Sequence, residues 1–177
     1  MKIGVIGIDH QCNAAIREKL SFTESSKMAF ATDILGDIVD EVVILSTCNR
    51  SEVYFARYED DDNIFKDLRR SYLKFFACPQ YDGYLFQMED RAALEHLFSV
   101  ASGLSSAIVG EDEILHQTKS AYEFSRQLKY CGKLLNKIFQ EALSCAKTIK
   151  NSLKISEIPL SSGYIGLKFL QERCGGF

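Results

Sequence analysis

The sequence predicts an α+β fold in which a small four-stranded sheet comes first and helices dominate the second half. Three observations lead there. Short apolar runs of strand length recur within the first 90 residues, separated by stretches with helical periodicity. From Asp90 onward the apolar residues repeat almost entirely at helical spacing. The chain of 177 residues is 46% hydrophobic, enough to bury one substantial core with a helical addition.

Taken in order, Lys2 to Ile8 reads as the first strand. Its Gly4-x-x-Gly7 lacks the third glycine and the helix start of a dinucleotide-binding turn. Ala14 to Leu20 is a short helical piece, and Thr23-Glu24 predicts the cap of a second helix reaching about Asp37. Glu41 to Ser46 and Glu52 to Tyr58 are the next two strands. The acidic Glu59-Asp60-Asp61-Asp62 suits a helix start, where carboxylates are favoured, better than a metal site. Ile64, Leu68, Tyr72, Phe75 and Phe76 place a helix over Asn63 to Ala77, and Tyr84 to Met88 is the fourth strand. The order βαββαβ is that of the ferredoxin-like sandwich, with strands two and three as antiparallel neighbours.

Asp90 is expected to cap a helix over Arg91 to Ser102. Gly103 to Gln117 then reads as a loop bracketed by glycines, with Glu111, Asp112 and Glu113 opening a helix. Leu135, Ile138, Phe139, Ala142, Ala146, Ile149 and Leu153 keep one apolar stripe on a long helix. Pro159 ends that run, Ser161-Ser162 starts another reaching Leu170, and the glycine-rich end reads as a cut within a linker.

The net charge of −3 excludes a polycation built to coat nucleic acid. Ile114 to Ser156 nevertheless carries eight Lys/Arg against Glu123 and Glu141, a local net of +6. Lys119, Arg126 and Lys133, and Lys147, Lys150 and Lys154, line up along helix faces. They suit contact with a phosphate backbone, or equally ordinary solvated faces. Six cysteines without a C-x-x-C pair argue against a zinc ribbon and a disulfide scaffold, so no metal is expected. The start is too short in its apolar run for a signal peptide, and no segment approaches membrane-spanning length. A reduced, cytoplasmic protein is expected.

The stretch with most chemistry is Thr47-Cys48-Asn49-Arg50-Ser51-Glu52-Val53-Tyr54, between strands two and three. A connection that served only to turn the chain would favour Asn-Gly or Asp-Gly. A thiol beside a guanidinium suggests a nucleophile, because positive charge favours the thiolate. A lone cysteine at a strand end also suits the part of a small buried hydrophobe. His96, off the centre of its helix face, reads on its own as a surface or hydrogen-bonded helix residue.

Thr47 to Tyr54 resembles the T-C-N-R-T/S-E-x-Y motif of the glutamyl-tRNA reductases. Gly103 to Gln117 resembles the family's G-L-D-S-x-x-x-G-E-x-Q-I-L-x-Q pattern. Gly7-Ile8-Asp9-His10 and Arg17-Glu18-Lys19-Leu20 resemble its opening. Three strings in the family's order are spread over about the first two-thirds of the chain. Ser105, Asp112 and Glu113 depart from the pattern, as does Lys150-Asn151-Ser152-Leu153.

The resemblance implies a catalytic and glutamyl-tRNA-recognition domain over 1–156. It also implies a truncated linker over 157–177, leading towards an NADPH-binding domain and a dimerisation helix not found in this sequence. It implies that Cys48, as thiolate, attacks the aminoacyl ester of glutamyl-tRNA to form a thioester. NADPH would reduce this to glutamate-1-semialdehyde for tetrapyrrole synthesis. His96 would handle protons during acyl transfer. Arg50 would hold the substrate's side-chain carboxylate as a bidentate fork. Thr47, Asn49, Ser106 and Gln117 would add neutral hydrogen bonds, and Glu111 would meet the substrate's ammonium. Asp112 and Glu113 complete the implied substrate site. No cofactor-binding residue is implied within this chain. The implied partners are glutamyl-tRNA, a second copy in a homodimer, and the aminomutase that takes the product, with no membrane. Two rivals stand beside this: a non-catalytic tRNA-binding module of the same fold, and a thiol–imidazole haem or metal sensor.

Overall fold

In a computed structural model of the chain, residues 1–106 and 113–153 are described. Strands β1 (Lys2–Ile8), β2 (Glu41–Ser46), β3 (Ser51–Arg57) and β4 (Phe86–Glu89) form one sheet of order β2-β3-β1-β4. Every neighbouring pair is antiparallel. Helices α1 (Ala14–Lys19) and α2 (Glu24–Ile34) join β1 to β2, and α3 (Ile64–Phe75) with a 3-10 turn at Pro79–Tyr84 joins β3 to β4. Helices α4 (Asp90–Ala101), α5 (Glu113–Gln127) and α6 (Lys133–Leu153) follow.

Strand residues alternate between faces, and both faces are buried. Ile6, Ile8, Val42, Ile44, Val53 and Phe55 join Phe30, Leu68 and Tyr72 of α2 and α3 in one core. Val5, Val43, Leu45, Tyr54 and Ala56 join Leu97, Ala121, Leu135 and Phe139 of α4, α5 and α6 in a second. The helical region is therefore the cover of the sheet's second face. The continuous apolar runs Val42 to Leu45 and Val53 to Phe55 are what a strand buried on both faces requires.

Two polar details set this architecture. Glu41, nearly fully buried, accepts the backbone N–H groups of Leu134 (3.0 Å) and Leu135 (2.7 Å), and Tyr58 donates its hydroxyl to the same carboxylate. A strand residue thus caps the N-terminus of α6, where the helix favours negative charge. Asp90 behaves otherwise than expected. Glu89 is the N-cap of α4 and makes no side-chain cap bond, while the Asp90 carboxylate accepts from Ile3 N at 3.3 Å. Thr23 does cap α2, in a reciprocal box with Ser26.

The basic stripe changes as well. Lys119 and Lys133 are exposed, but Lys150 is only 5% exposed, so it does not belong to a solvated phosphate-binding face. Lys154, the expected second helix from Ser161 and the 157–177 linker lie outside the described residues. Among the described residues no helix is long and apolar enough to cross a membrane, and no cluster of His, Cys, Asp or Glu could hold a metal ion.

Candidate active site

The β2–β3 connection is a tight turn stabilised by its own threonine. Thr47 N donates to the Arg50 carbonyl (2.8 Å), and Thr47 Oγ1 accepts from Asn49 N (3.1 Å) and Arg50 N (3.3 Å). No turn residue has positive φ, so the side-chain bonds replace the glycine that a two-residue hairpin usually needs. The turn is fastened from outside too. The Tyr72 hydroxyl of α3 donates to the Leu20 carbonyl (3.0 Å) and accepts from Ser51 Oγ (2.9 Å), and Ser46 Oγ accepts from Phe22 N. Arg17 Nε donates to the Cys48 carbonyl at 3.3 Å, and its Nη1 reaches the carbonyls of His10 and Cys12. This guanidinium joins the loop after β1 to the turn. Cys48 is exposed at the apex.

Beneath the turn lies a buried polar cluster centred on Glu52, which is 0% exposed. Its Oε1 accepts from Arg50 Nη1 (2.8 Å) and His96 Nε2 (3.0 Å), and its Oε2 accepts from the Tyr54 hydroxyl (2.6 Å). Arg50, 1% exposed, also gives Nη2 to the Ser105 carbonyl at 2.6 Å. Its Nε has no partner among the described residues. Burial alone would push the Glu52 carboxyl up. The hydrogen bond from His96, the charge of Arg50 and the Tyr54 hydroxyl outweigh it and hold the group below the ordinary carboxylate value. Burial and the neighbouring Glu52 push the Tyr54 hydroxyl well up, which keeps it a donor. The ring of Phe86 lies 5.2 Å from that of His96, and Phe139 meets Tyr54 edge-on at 5.5 Å. Gly7 makes room for the cluster, since a Cβ there would press into the Ser51 carbonyl and come within 2.8 Å of Glu52 Cα.

Of the expected site residues, Thr47, Cys48, Asn49 and Arg50 share the turn, and His96 joins them through Glu52. Ser106 is buried, with no hydrogen-bond partner for its hydroxyl among the described residues. Glu113 accepts from Gln117 Nε2 at 3.3 Å, and both line a cavity of about 200 Å³ with Ser46, Lys27 and His116. Glu111 and Asp112 lie outside the described residues. The reading of the sequence did not assign Glu52, Tyr54 or Arg17 to the site. The first two stand inside the motif itself, and their alternation with the apolar Val53 and Phe55 puts them on the opposite face from that pair.

The Gly4–Gly7 strand does not fit a dinucleotide pyrophosphate, because both glycines serve packing. A Cβ on Gly4 would strike the rings of Phe55 and Phe65, and one on Gly7 the β3 backbone.

The profile of the family described as "Glutamyl-tRNAGlu reductase, N-terminal domain" matches residues 6–153. The chain is 42% identical over 176 residues to a glutamyl-tRNA reductase of Clostridium novyi, covering 99% of this chain and 43% of the relative. It is 37% identical over 163 residues to that of Clostridium beijerinckii, covering 92% and 40%. The structure of glutamyl-tRNA reductase from Methanopyrus kandleri superposes with a TM-score of 0.74 at 29% identity, over 96% of this chain and 39% of that one. The chain thus spans less than half the length of these relatives. On the matched residues and the shared fold together, this chain belongs to the glutamyl-tRNA reductase N-terminal domain family.

Proposed function

We propose that this chain performs the acyl-transfer half of glutamyl-tRNA reduction. The observation that carries this reading is the exposed Cys48 at the apex of a fastened turn whose Arg50 is bonded to the buried Glu52, which in turn holds His96. Cys48 sulfur attacks the ester carbon joining glutamate to the tRNA 3′ end. The ribose oxygen leaves with a proton handled by His96, and a thioester remains on Cys48. Arg50 receives the glutamyl side-chain carboxylate along its Nε–Nη2 edge, where Nε has no partner among the described residues and Nη2 can exchange the Ser105 carbonyl for a carboxylate oxygen. Asn49, Ser106 and Gln117 supply neutral hydrogen bonds, with Thr47 shaping the turn and Glu113 orienting Gln117.

The strand order β2-β3-β1-β4 supports reading the sheet as a ferredoxin-like core with an additional helical cover. In the whole protein NADPH would supply hydride to the thioester from a domain outside this sequence. The reading extends to a cytoplasmic homodimer that passes its semialdehyde to an aminomutase.

Cys48→Ser tests the assignment. Glutamyl transfer from labelled glutamyl-tRNA to protein should vanish while the thermal unfolding profile is kept, and retained transfer would remove Cys48 as nucleophile. Salt-sensitive tRNA affinity that is independent of Cys48, with no glutamyl transfer by the unaltered chain, would instead favour the non-catalytic binding module.

A further inference from the structure

We propose that Glu52 is a positioning residue which holds His96 by Nε2, so that Nδ1 is the nitrogen that exchanges protons in the acyl transfer. The inference rests on the function proposed above and deepens it.

The donor at Nε2 follows from the partner. Glu52 Oε1 lies 3.0 Å from Nε2, and a carboxylate only accepts, so the shared hydrogen belongs to the imidazole. The carboxylate state is secured by the two other donors, Arg50 at 2.8 Å and Tyr54 at 2.6 Å, in a site closed to water. A neutral imidazole with its hydrogen at Nε2 has a bare Nδ1. That nitrogen can take the Cys48 thiol proton as the sulfur–carbon bond forms. It then returns the proton to the ribose oxygen as the carbon–oxygen ester bond breaks. Thiol and ester become thioester and free ribose hydroxyl, with no net change at the imidazole. Between the two steps the ring is a cation, and Glu52 is placed to stabilise it, as the buried carboxylate does in a Ser-His-Asp triad.

The sharing of one oxygen adds a second consequence. Arg50 and His96 both donate to Glu52 Oε1, so the residue proposed to recognise the glutamyl carboxylate and the one proposed to move the proton are braced by the same atom. Tyr54, on the other oxygen, fixes the rotation of the carboxylate about its own bond. The ring of Phe86 packs against the imidazole at 5.2 Å between centroids.

The test begins without tRNA. Long-range proton–nitrogen NMR on the chain with labelled histidine reads the tautomer of each of its three histidines, and the His96→Asn variant assigns the signal. At alkaline pH His96 should carry its hydrogen on Nε2, and a hydrogen on Nδ1 would overturn the proposal. Glu52→Gln separates geometry from charge. Arg50 and His96 should keep the amide oxygen on their side while Tyr54 turns to accept from the amide nitrogen. The tautomer should then persist, and transfer to Cys48 should fall by roughly tenfold or more, within the range of acid–base contributions.

Combining Glu52→Gln with His96→Asn should cost no further fold in transfer beyond His96→Asn alone, whereas a merely structural Glu52 would add its own loss. Additive losses would overturn the proposal. If the unaltered chain neither forms an adduct nor deacylates glutamyl-tRNA, the proposed function fails, and the reaction assigned to Nδ1 fails with it. An adduct together with an Nδ1–H tautomer refutes this inference alone.

Discussion

Replacing Glu41 by alanine removes a cap that β2 provides to a helix more than ninety residues further along the chain. The carboxylate holds the N–H groups of Leu134 and Leu135, and the second of these bonds is buried. Loss of a helix cap costs about 1 kcal/mol, and a buried N–H left unpaired adds about 2 kcal/mol, while the partly exposed Leu134 N–H can turn to water. The sum of about 3 kcal/mol corresponds to a fall in melting temperature of roughly 6–12 °C for a chain of this size. Gly132 offers an independent handle, since a Cβ there would sit 2.6 Å from the Glu41 carboxyl. Gly132→Ala should destabilise the protein for that reason, and should cost less once Glu41 is already alanine. Thermal unfolding followed by circular dichroism reads all three variants. A Glu41→Ala shift below about 2 °C, or strict additivity with Gly132→Ala, would refute the reasoning. The cap matters to the site because α6 brings Phe139 against Tyr54, whose hydroxyl holds Glu52.

Gly7→Ala should perturb β1–β3 pairing next to Glu52, destabilising by about 2 kcal/mol or more and slowing acyl transfer, with hydrogen exchange at β1 as the readout. The depressed Glu52 carboxyl gives a signed acid dependence. Its contribution is fully present above the ordinary value of 4.5 and is lost as pH falls through the lower native value, so urea unfolding of Glu52→Gln should depend less steeply on pH in that acid range. Equal slopes for both proteins would contradict it. Among the described cysteines, iodoacetamide at neutral pH should label exposed Cys48 first. Cys131, whose thiol is pushed up to about 12 by burial and then by Glu41, should lag well behind, as peptide mapping over time would show.

Local signals in the sequence reached the strands, the Thr23 cap and the turn that carries Cys48, because each depends on neighbours a few residues apart. The same signals missed what depends on distant partners. Glu41 reads as the polar start of a strand, and only the docking of α6 turns it into a cap. Lys150 fits the spacing of a basic stripe, yet it is buried in the folded chain. The helices from α4 onward were recognised individually, but amphipathic stripes do not say which surface they cover, so the second core on the sheet was not foreseen. At the site, the thiol of Cys48 beside the guanidinium of Arg50 is legible in the residues themselves, whereas a role for His96 comes only with the family resemblance. Glu52 was legible as a residue and not as the centre of the cluster, because a carboxylate beside an arginine looks the same in sequence whether solvated or buried.

The central claim is tested most directly by intact mass and peptide mapping after brief incubation with glutamyl-tRNA, without NADPH, followed by an acid quench. A glutamyl adduct confined to the peptide bearing Cys48, and labile to mild base as a thioester, is the predicted result. An unmodified Cys48 peptide together with intact glutamyl-tRNA would contradict the account.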